Sequence, residues 1–231
     1  MKAAYLNKIN SPLIISDSIK FNKLEYGQVL IKIYYTGICK SQIFEIYNGR
    51  NNKKYIPHLL GHEATGIVID KHKSVKKVKK KDRVILTWLK CKGIQSKNPV
   101  YFDNSKKINS GSVTTFSTIS IVSENRLTKV PSDTPPELCA ILGCALTTAL
   151  GIVDNEINLK FGESVAIVGC GGVGLNLIYA ASMKGASEII GIDNNSEKES
   201  IVIDCGANKF IKDIEDYDNK FDIIIDTTGS S

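Results

Sequence analysis

Three short segments carry side chains that could hold a metal: Gly37-Ile38-Cys39-Lys40-Ser41, Gly61-His62-Glu63 and Gly143-Cys144. Two thiolates and one imidazole are the donor set of a catalytic zinc that keeps a fourth position open for water or substrate. Glu63, next to the imidazole, would serve as a temporary ligand or as support behind the others. Each residue also has a plainer reading. A solitary Cys or His is more often packing than ligand, and spacings this long are not diagnostic by themselves. On chemistry alone, zinc stays one reading among others.

A second constellation is local. The apolar run Val165 to Val168 is short enough for a buried strand and stops at Gly169. Gly169-Cys170-Gly171-Gly172-Val173-Gly174 then makes G-x-G-x-x-G, and a helical pattern follows from Val173 to Lys184, ending at Gly185. A second apolar run, Ile189 to Ile192, ends at Asp193. A glycine trio alone is a weak signal. Here strand, helix and acid stand in register with it, which is the order of a dinucleotide site: a tight turn, close backbone approach to a pyrophosphate, and a carboxylate for the ribose hydroxyls.

Both constellations need elements to position them. Residues 1 to about 90 alternate like a β-rich domain, with strands expected at Gln28–Tyr35, Gly66–Ile69 and Arg83–Thr87. Turns are expected at Asn7–Pro12, Tyr26-Gly27 and Asn48–Asn52, and one or two helical turns at Ser41–Tyr47. Residues 92–112 are polar and poorly periodic and read as a loop, before strands at Val113–Val122 and Leu127–Val130. Pro131 to Pro136 punctuates the chain, and Glu137–Val153 reads as one helix. From Ser164 onward strand and helix alternate, with further strands at Lys209–Ile211 and Phe221–Ile225, as in a doubly wound α/β unit. Four strands are fewer than the six of a full dinucleotide fold. The expectation is a fragment, or a sheet completed by another polypeptide.

Composition narrows the class. Of 231 residues, 42% are hydrophobic and 23% charged, as in an ordinary globular protein. No apolar stretch reaches the length of a membrane span, and Met1-Lys2-Ala3-Ala4 opens no signal peptide, so the cytoplasm is expected. The net charge of +6 comes largely from Lys71 to Lys81, lysine-rich and almost without aromatics, which reads as a solvated loop rather than a nucleic-acid surface. Arginine is confined to Arg50, Arg83 and Arg126. The six cysteines form no C-x-x-C pair, so disulfides are not expected, and Cys139, Cys170 and Cys205 suit burial as free thiols.

These motifs, in this order, resemble the zinc-dependent medium-chain alcohol dehydrogenases, and the similarity runs over essentially the whole chain. The resemblance implies an α/β protein: a β-rich GroES-like catalytic domain over residues 1–145, then an incomplete Rossmann domain, a doubly wound parallel sheet, over residues 146–231. It places the active site in the cleft between them. By position, Cys39, His62 and Cys144 resemble the catalytic zinc ligands, with Glu63 beside them, and Ser41 the hydroxyl that starts the proton relay. Lys40 resembles a basic contact to the cofactor pyrophosphate. Thr148 resembles a residue at the nicotinamide, and Val173 one packing behind it. Gly169, Gly171, Gly172 and Gly174 form the phosphate turn. Asp193 resembles the acid that selects NAD over NADP, Lys198 a further ribose contact, and Thr228 a residue flanking the cofactor on the far side.

The departures matter too. Many relatives hold a second, structural zinc on four cysteines; this region offers only Cys91, so one catalytic zinc is expected. Gln42 stands where an aspartate often backs the histidine ligand, so another group is expected to orient His62. Phe44 replaces a relay histidine, which leaves water or the cofactor ribose to carry protons from Ser41. The implied activity is reversible hydride transfer between NAD and an alcohol or polyol, or its aldehyde or ketone. The implied full-length form is a homodimer or homotetramer, with no nucleic-acid or membrane partner. Two other readings remain open: a zinc-free NAD(P)-dependent reductase of the same fold, and an inactive truncated nucleotide-binding module.

Overall fold

In the first half of the chain, β-branched and aromatic residues recur at period two between turn residues, and short strands result. They are β1 (Ala3–Leu6), β2 (Ile14–Ser16), β3 (Ile19–Phe21) and β4 (Gln28–Thr36), followed by helix α1 (Lys40–Asn48). Next come β5 (His58–Leu59), β6 (Ala64–Lys71), β7 (Arg83–Leu86), β8 (Tyr101–Asp103), β9 (Lys106–Ile108), β10 (Ile119–Ser123), β11 (Leu127–Lys129) and helix α2 (Pro136–Ile141). The computed structural model describes residues 1–48, 55–213 and 220–229, and its contacts divide the chain into two units, Met1–Cys144 and Ala145–Ser231.

The first unit is organised on a five-stranded antiparallel sheet in the order β10-β4-β6-β7-β11, with three-stranded sheets β2-β1-β5 and β3-β8-β9 beside it. Val29, Ile31, Val68, Val84, Leu86 and Val122 fill its core. The register decides where the chemistry sits. Thr36 pairs with Ala64, and Ala64 with Leu86, so three neighbouring strands have these ends at one edge of the sheet. The chain leaving β4 toward Cys39 therefore runs beside His62-Glu63, which lead into β6. Gly66 permits this pairing, since a Cβ there would lie 2.3 Å from the Lys32 carbonyl oxygen.

The second unit contains α3 (Ala145–Gly151), a π-helical turn at Ile152–Glu156, β12 (Ser164–Val168), α4 (Gly172–Met183), β13 (Glu188–Ile192), α5 (Glu199–Asp204), β14 (Lys209–Ile211) and β15 (Ile223–Asp226). Its sheet is parallel throughout, in the order β14-β13-β12-β15. One face buries Val165, Ile167 and Ile189 against Leu177 and Ile178, and Ala166, Ile190, Ile192 and Ile211 form a second cluster. Apolar side chains on successive residues of β12 and β13 suit a parallel sheet covered on both faces. The chain is thus α/β, with a β-rich unit followed by a parallel, helix-covered one.

Three expectations need correction. Residues 92–112 are not only loop: β8 and β9 form a hairpin turned by Asn104, at φ 52°, and Tyr101 in it is fully buried. Between Val113 and Val122 only the stretch from Ile119 is strand. The helix expected over Glu137–Val153 is broken at 142–144 into α2 and α3, because Gly143 is packed against other parts of the first unit. The turn expected at Asn48–Asn52 lies almost wholly outside the described residues.

Candidate functional site

Cys39, His62 and Cys144 come from the approach to α1, the β5–β6 connection and the break between α2 and α3. One donor atom from each lies within 4.8 Å of the others, and all three residues are half-buried. The two sulfurs are 4.0 Å apart. Two thiolates on a tetrahedral zinc, each about 2.3 Å from it, would lie about 3.8 Å apart. The donor set fits that ion.

Glycine makes the site possible at two positions. A Cβ on Gly37 would meet the Glu63 carboxyl carbon at 2.6 Å. One on Gly143 would meet the Leu86 carbonyl oxygen at 2.5 Å and the Glu63 Cβ at 3.1 Å. Glu63 is thus wedged between the two cysteine-bearing segments. Its main-chain carbonyl accepts from Thr36 Oγ1 at 2.9 Å, from Thr115 Oγ1 at 3.2 Å and from the Gly37 N–H at 3.3 Å. Thr87 Oγ1 donates to the Gly143 carbonyl at 2.7 Å and so holds the turn before Cys144. None of these threonines stood out in the sequence, because a hydroxyl bonded to a backbone carbonyl leaves no motif.

Electrostatics point the same way. Burial alone pushes the Glu63 carboxyl up to about 7. Its Oε2 is buried without a hydrogen-bond partner among the described residues. Burial first, then Cys39 and Glu63, push the Cys144 thiol up to about 12. Three acids crowded this closely resist ionisation together, and a divalent cation relieves that cost.

Helix α1 supplies the rest. Ser41 is exposed and its Oγ donates to Cys39 Sγ at 3.4 Å. Lys40 is exposed at the start of the helix, and Phe44 is 62% exposed. Gln42 is buried with its Nε2 3.1 Å from His62 Nδ1, which corrects the expectation that some other group must orient the imidazole. One turn on, Glu45 Oε1 meets His58 Nε2 at 2.7 Å, both side chains 6% exposed. That buried pair ties α1 to β5, and so ties the Cys39 segment to the one carrying His62.

The second unit assembles the glycine turn. Gly169 has φ +89°, and a Cβ there would lie 2.8 Å from Thr227 Oγ1. A Cβ on Gly174 would lie 1.9 Å from the Gly169 carbonyl oxygen, so helix and strand can approach only through a bare α-carbon. Gly171 and Gly172, by contrast, face open space at the start of α4, which is where a pyrophosphate would need room. Val173 is half-buried against the core, and Thr148 is half-buried in α3.

Asp193 follows β13 with a side chain 8% exposed. It accepts from the Cys170 N–H at 2.8 Å, the Asn195 N–H at 3.0 Å and Lys198 Nζ at 2.6 Å. Burial would raise its carboxyl, but Lys198 and these N–H donors outweigh that and hold it below its ordinary value. Thr227, which the sequence did not single out, donates through Oγ1 to the Gly169 carbonyl at 2.7 Å. Thr228 turns back on Asp226.

Known proteins give this architecture a family. The alcohol dehydrogenase GroES-like domain matches residues 25–132. The chain is 30% identical to S-(hydroxymethyl)glutathione dehydrogenase from Synechocystis sp., over 99% of this chain and 68% of that protein. It is 32% identical to alcohol dehydrogenase class-3 from Dictyostelium discoideum, over 93% of this chain and 63% of that protein. The chain thus spans about two thirds of the length of these relatives. Its fold matches an alcohol dehydrogenase zinc-binding domain protein from Burkholderia ambifaria with a TM-score of 0.87 at 24% identity, over 99% of this chain and 70% of that one. The chain belongs to the zinc-type medium-chain alcohol dehydrogenase family.

Proposed function

We propose that the protein transfers a hydride between NAD and a small alcohol or polyol, or the matching aldehyde or ketone, with one zinc held by Cys39, His62 and Cys144. The observation that carries this reading is the convergence of those three donor atoms within 4.8 Å from three separate segments. The names of the relatives support the reaction class and make S-(hydroxymethyl)glutathione one substrate to assay. When bound, zinc supplies Lewis acidity toward the substrate oxygen, and the nicotinamide supplies the hydride acceptor.

The chain's own residues do the rest. Ser41 Oγ, exposed beside Cys39, accepts the substrate hydroxyl proton as it releases its own to water or to the cofactor ribose. Glu63 stands behind the ligands as a buried carboxylate able to approach the ion. Gly169, Gly171, Gly172 and Gly174 cradle the pyrophosphate, aided by Lys40. Thr148 borders the nicotinamide with Val173 packed behind it, Thr228 flanks the cofactor on the far side, and Asp193 and Lys198 hold the ribose. A carboxylate at 193 repels a 2′-phosphate and so favours NAD. A cytoplasmic setting and a homodimer or homotetramer accompany this reading. No helix among the described residues is long and apolar enough to cross a membrane.

Metal analysis of the purified protein, paired with alcohol oxidation assays, tests the proposal. About one zinc per chain is expected. Cys39→Ala should lose both metal and turnover, and wild-type turnover that survives thorough chelation would overturn the zinc assignment.

A further inference from the structure

Gln42 touches two groups that make opposite demands on it. Its Oε1 accepts the Gly61 N–H at 2.5 Å, and its Nε2 lies 3.1 Å from His62 Nδ1. The residue is 4% exposed, and its own N–H is tied to the Cys39 carbonyl at 2.9 Å. A peptide N–H can only donate, so the oxygen end of the amide is the end that must face Gly61. Gly61 has little freedom to turn away: its φ is +88°, and Thr115 and Phe116 leave no room beside it for even a Cβ. The NH2 group is left facing Nδ1. That nitrogen must then offer its lone pair, and in a neutral ring the proton sits on Nε2. Yet Nε2 is the nitrogen left to bind a metal, which needs a bare lone pair there.

We propose that Gln42 is a positioning residue that holds His62 in the tautomer opposed to metal loading. Loading then requires the Gln42 amide to rotate and give up its bond to Gly61. The inference rests on reading Cys39, His62 and Cys144 as a zinc site. On loading, the Nε2 proton leaves to solvent and Nδ1 takes one from solvent, so the ring stays neutral. The new Nδ1–H needs an acceptor, and the amide has a single oxygen. Turning it toward Nδ1 sets the NH2 against the Gly61 N–H, donor to donor. A carboxylate of the same shape accepts from both partners at once.

Nitrogen NMR of the full chain tests this, at a pH where the ring is neutral. In the metal-free wild type the His62 proton is expected on Nε2, moving to Nδ1 with added zinc as Gly61 N–H exchange accelerates. In Gln42→Glu the proton is expected on Nδ1 before metal is added, and chelator competition should read zinc affinity about tenfold higher. A metal-free wild type already carrying the proton on Nδ1 overturns the inference without reference to any metal. Equal or weaker zinc affinity in Gln42→Glu overturns it as well. A wild type with the proton on Nε2 that takes up no zinc overturns the zinc reading itself, and with it the loading step.

Discussion

At the scale of single residues, the site depends on missing methyl groups as much as on ligands. Gly143→Ala would drive a Cβ against the Leu86 carbonyl, a backbone atom that cannot rotate aside. We expect a loss of about 1–3 kcal/mol in denaturant melts, from overpacking, together with weaker metal binding as the Cys144 turn shifts. Gly143 and Gly37 were visible in the sequence only as neighbours of cysteines; that both make room for Glu63 is a tertiary fact. Asp193 is the second test at this scale. Asp193→Ala should weaken NAD binding about tenfold and strengthen NADP binding, because Lys198 stays behind as an unneutralised cation for a 2′-phosphate. Equal affinities for the two cofactors in the wild type, read in a binding titration, would contradict that assignment.

At the scale of elements, the lysine-rich segment is less loose than its composition suggests. Glu124, 3% exposed, accepts the N–H groups of Lys76 and Lys77 at 2.7 Å each and that of Ile94 at 2.8 Å, joining two loops. Burial would raise its carboxyl, but the three N–H donors and the charge of Lys77 hold it below its ordinary 4.5. A depressed carboxyl contributes stability that is complete above the unfolded value and lost as pH falls through the folded one. Glu124→Gln should therefore cost about 2 kcal/mol near neutrality and flatten the acid limb of the stability profile, measured by melts from pH 7 downward. Sequence patterning located the strands β4, β6 and β7 and the turn–helix at Gly169, since period and turn residues are local signals. It missed the break after α2 because one glycine in a helical pattern costs only about 1 kcal/mol, and nothing local announces Leu86 and Glu63 beside it. It missed the β8–β9 hairpin because strands of three residues, Tyr-Phe-Asp and Lys-Lys-Ile, carry too little alternation to read.

At the scale of the molecule, the two constellations draw on different units and share no residue: the donor set on Met1–Cys144, the glycine turn and Asp193 on the part beyond. Chelation should abolish turnover, while the glycine turn and Asp193, which offer the ion no donor, still bind NAD. A calorimetric titration before and after metal removal measures it. The clasp of Thr227 on the Gly169 carbonyl, 58 residues upstream, also imposes an order in time. During translation the glycine turn precedes its clasp, since Thr227 can bond that carbonyl only once the residue after β15 has been made. Nascent chains arrested short of Thr227 should fail to retain NAD, and chains arrested on an added linker that carries Ser231 clear of the ribosome should retain the cofactor.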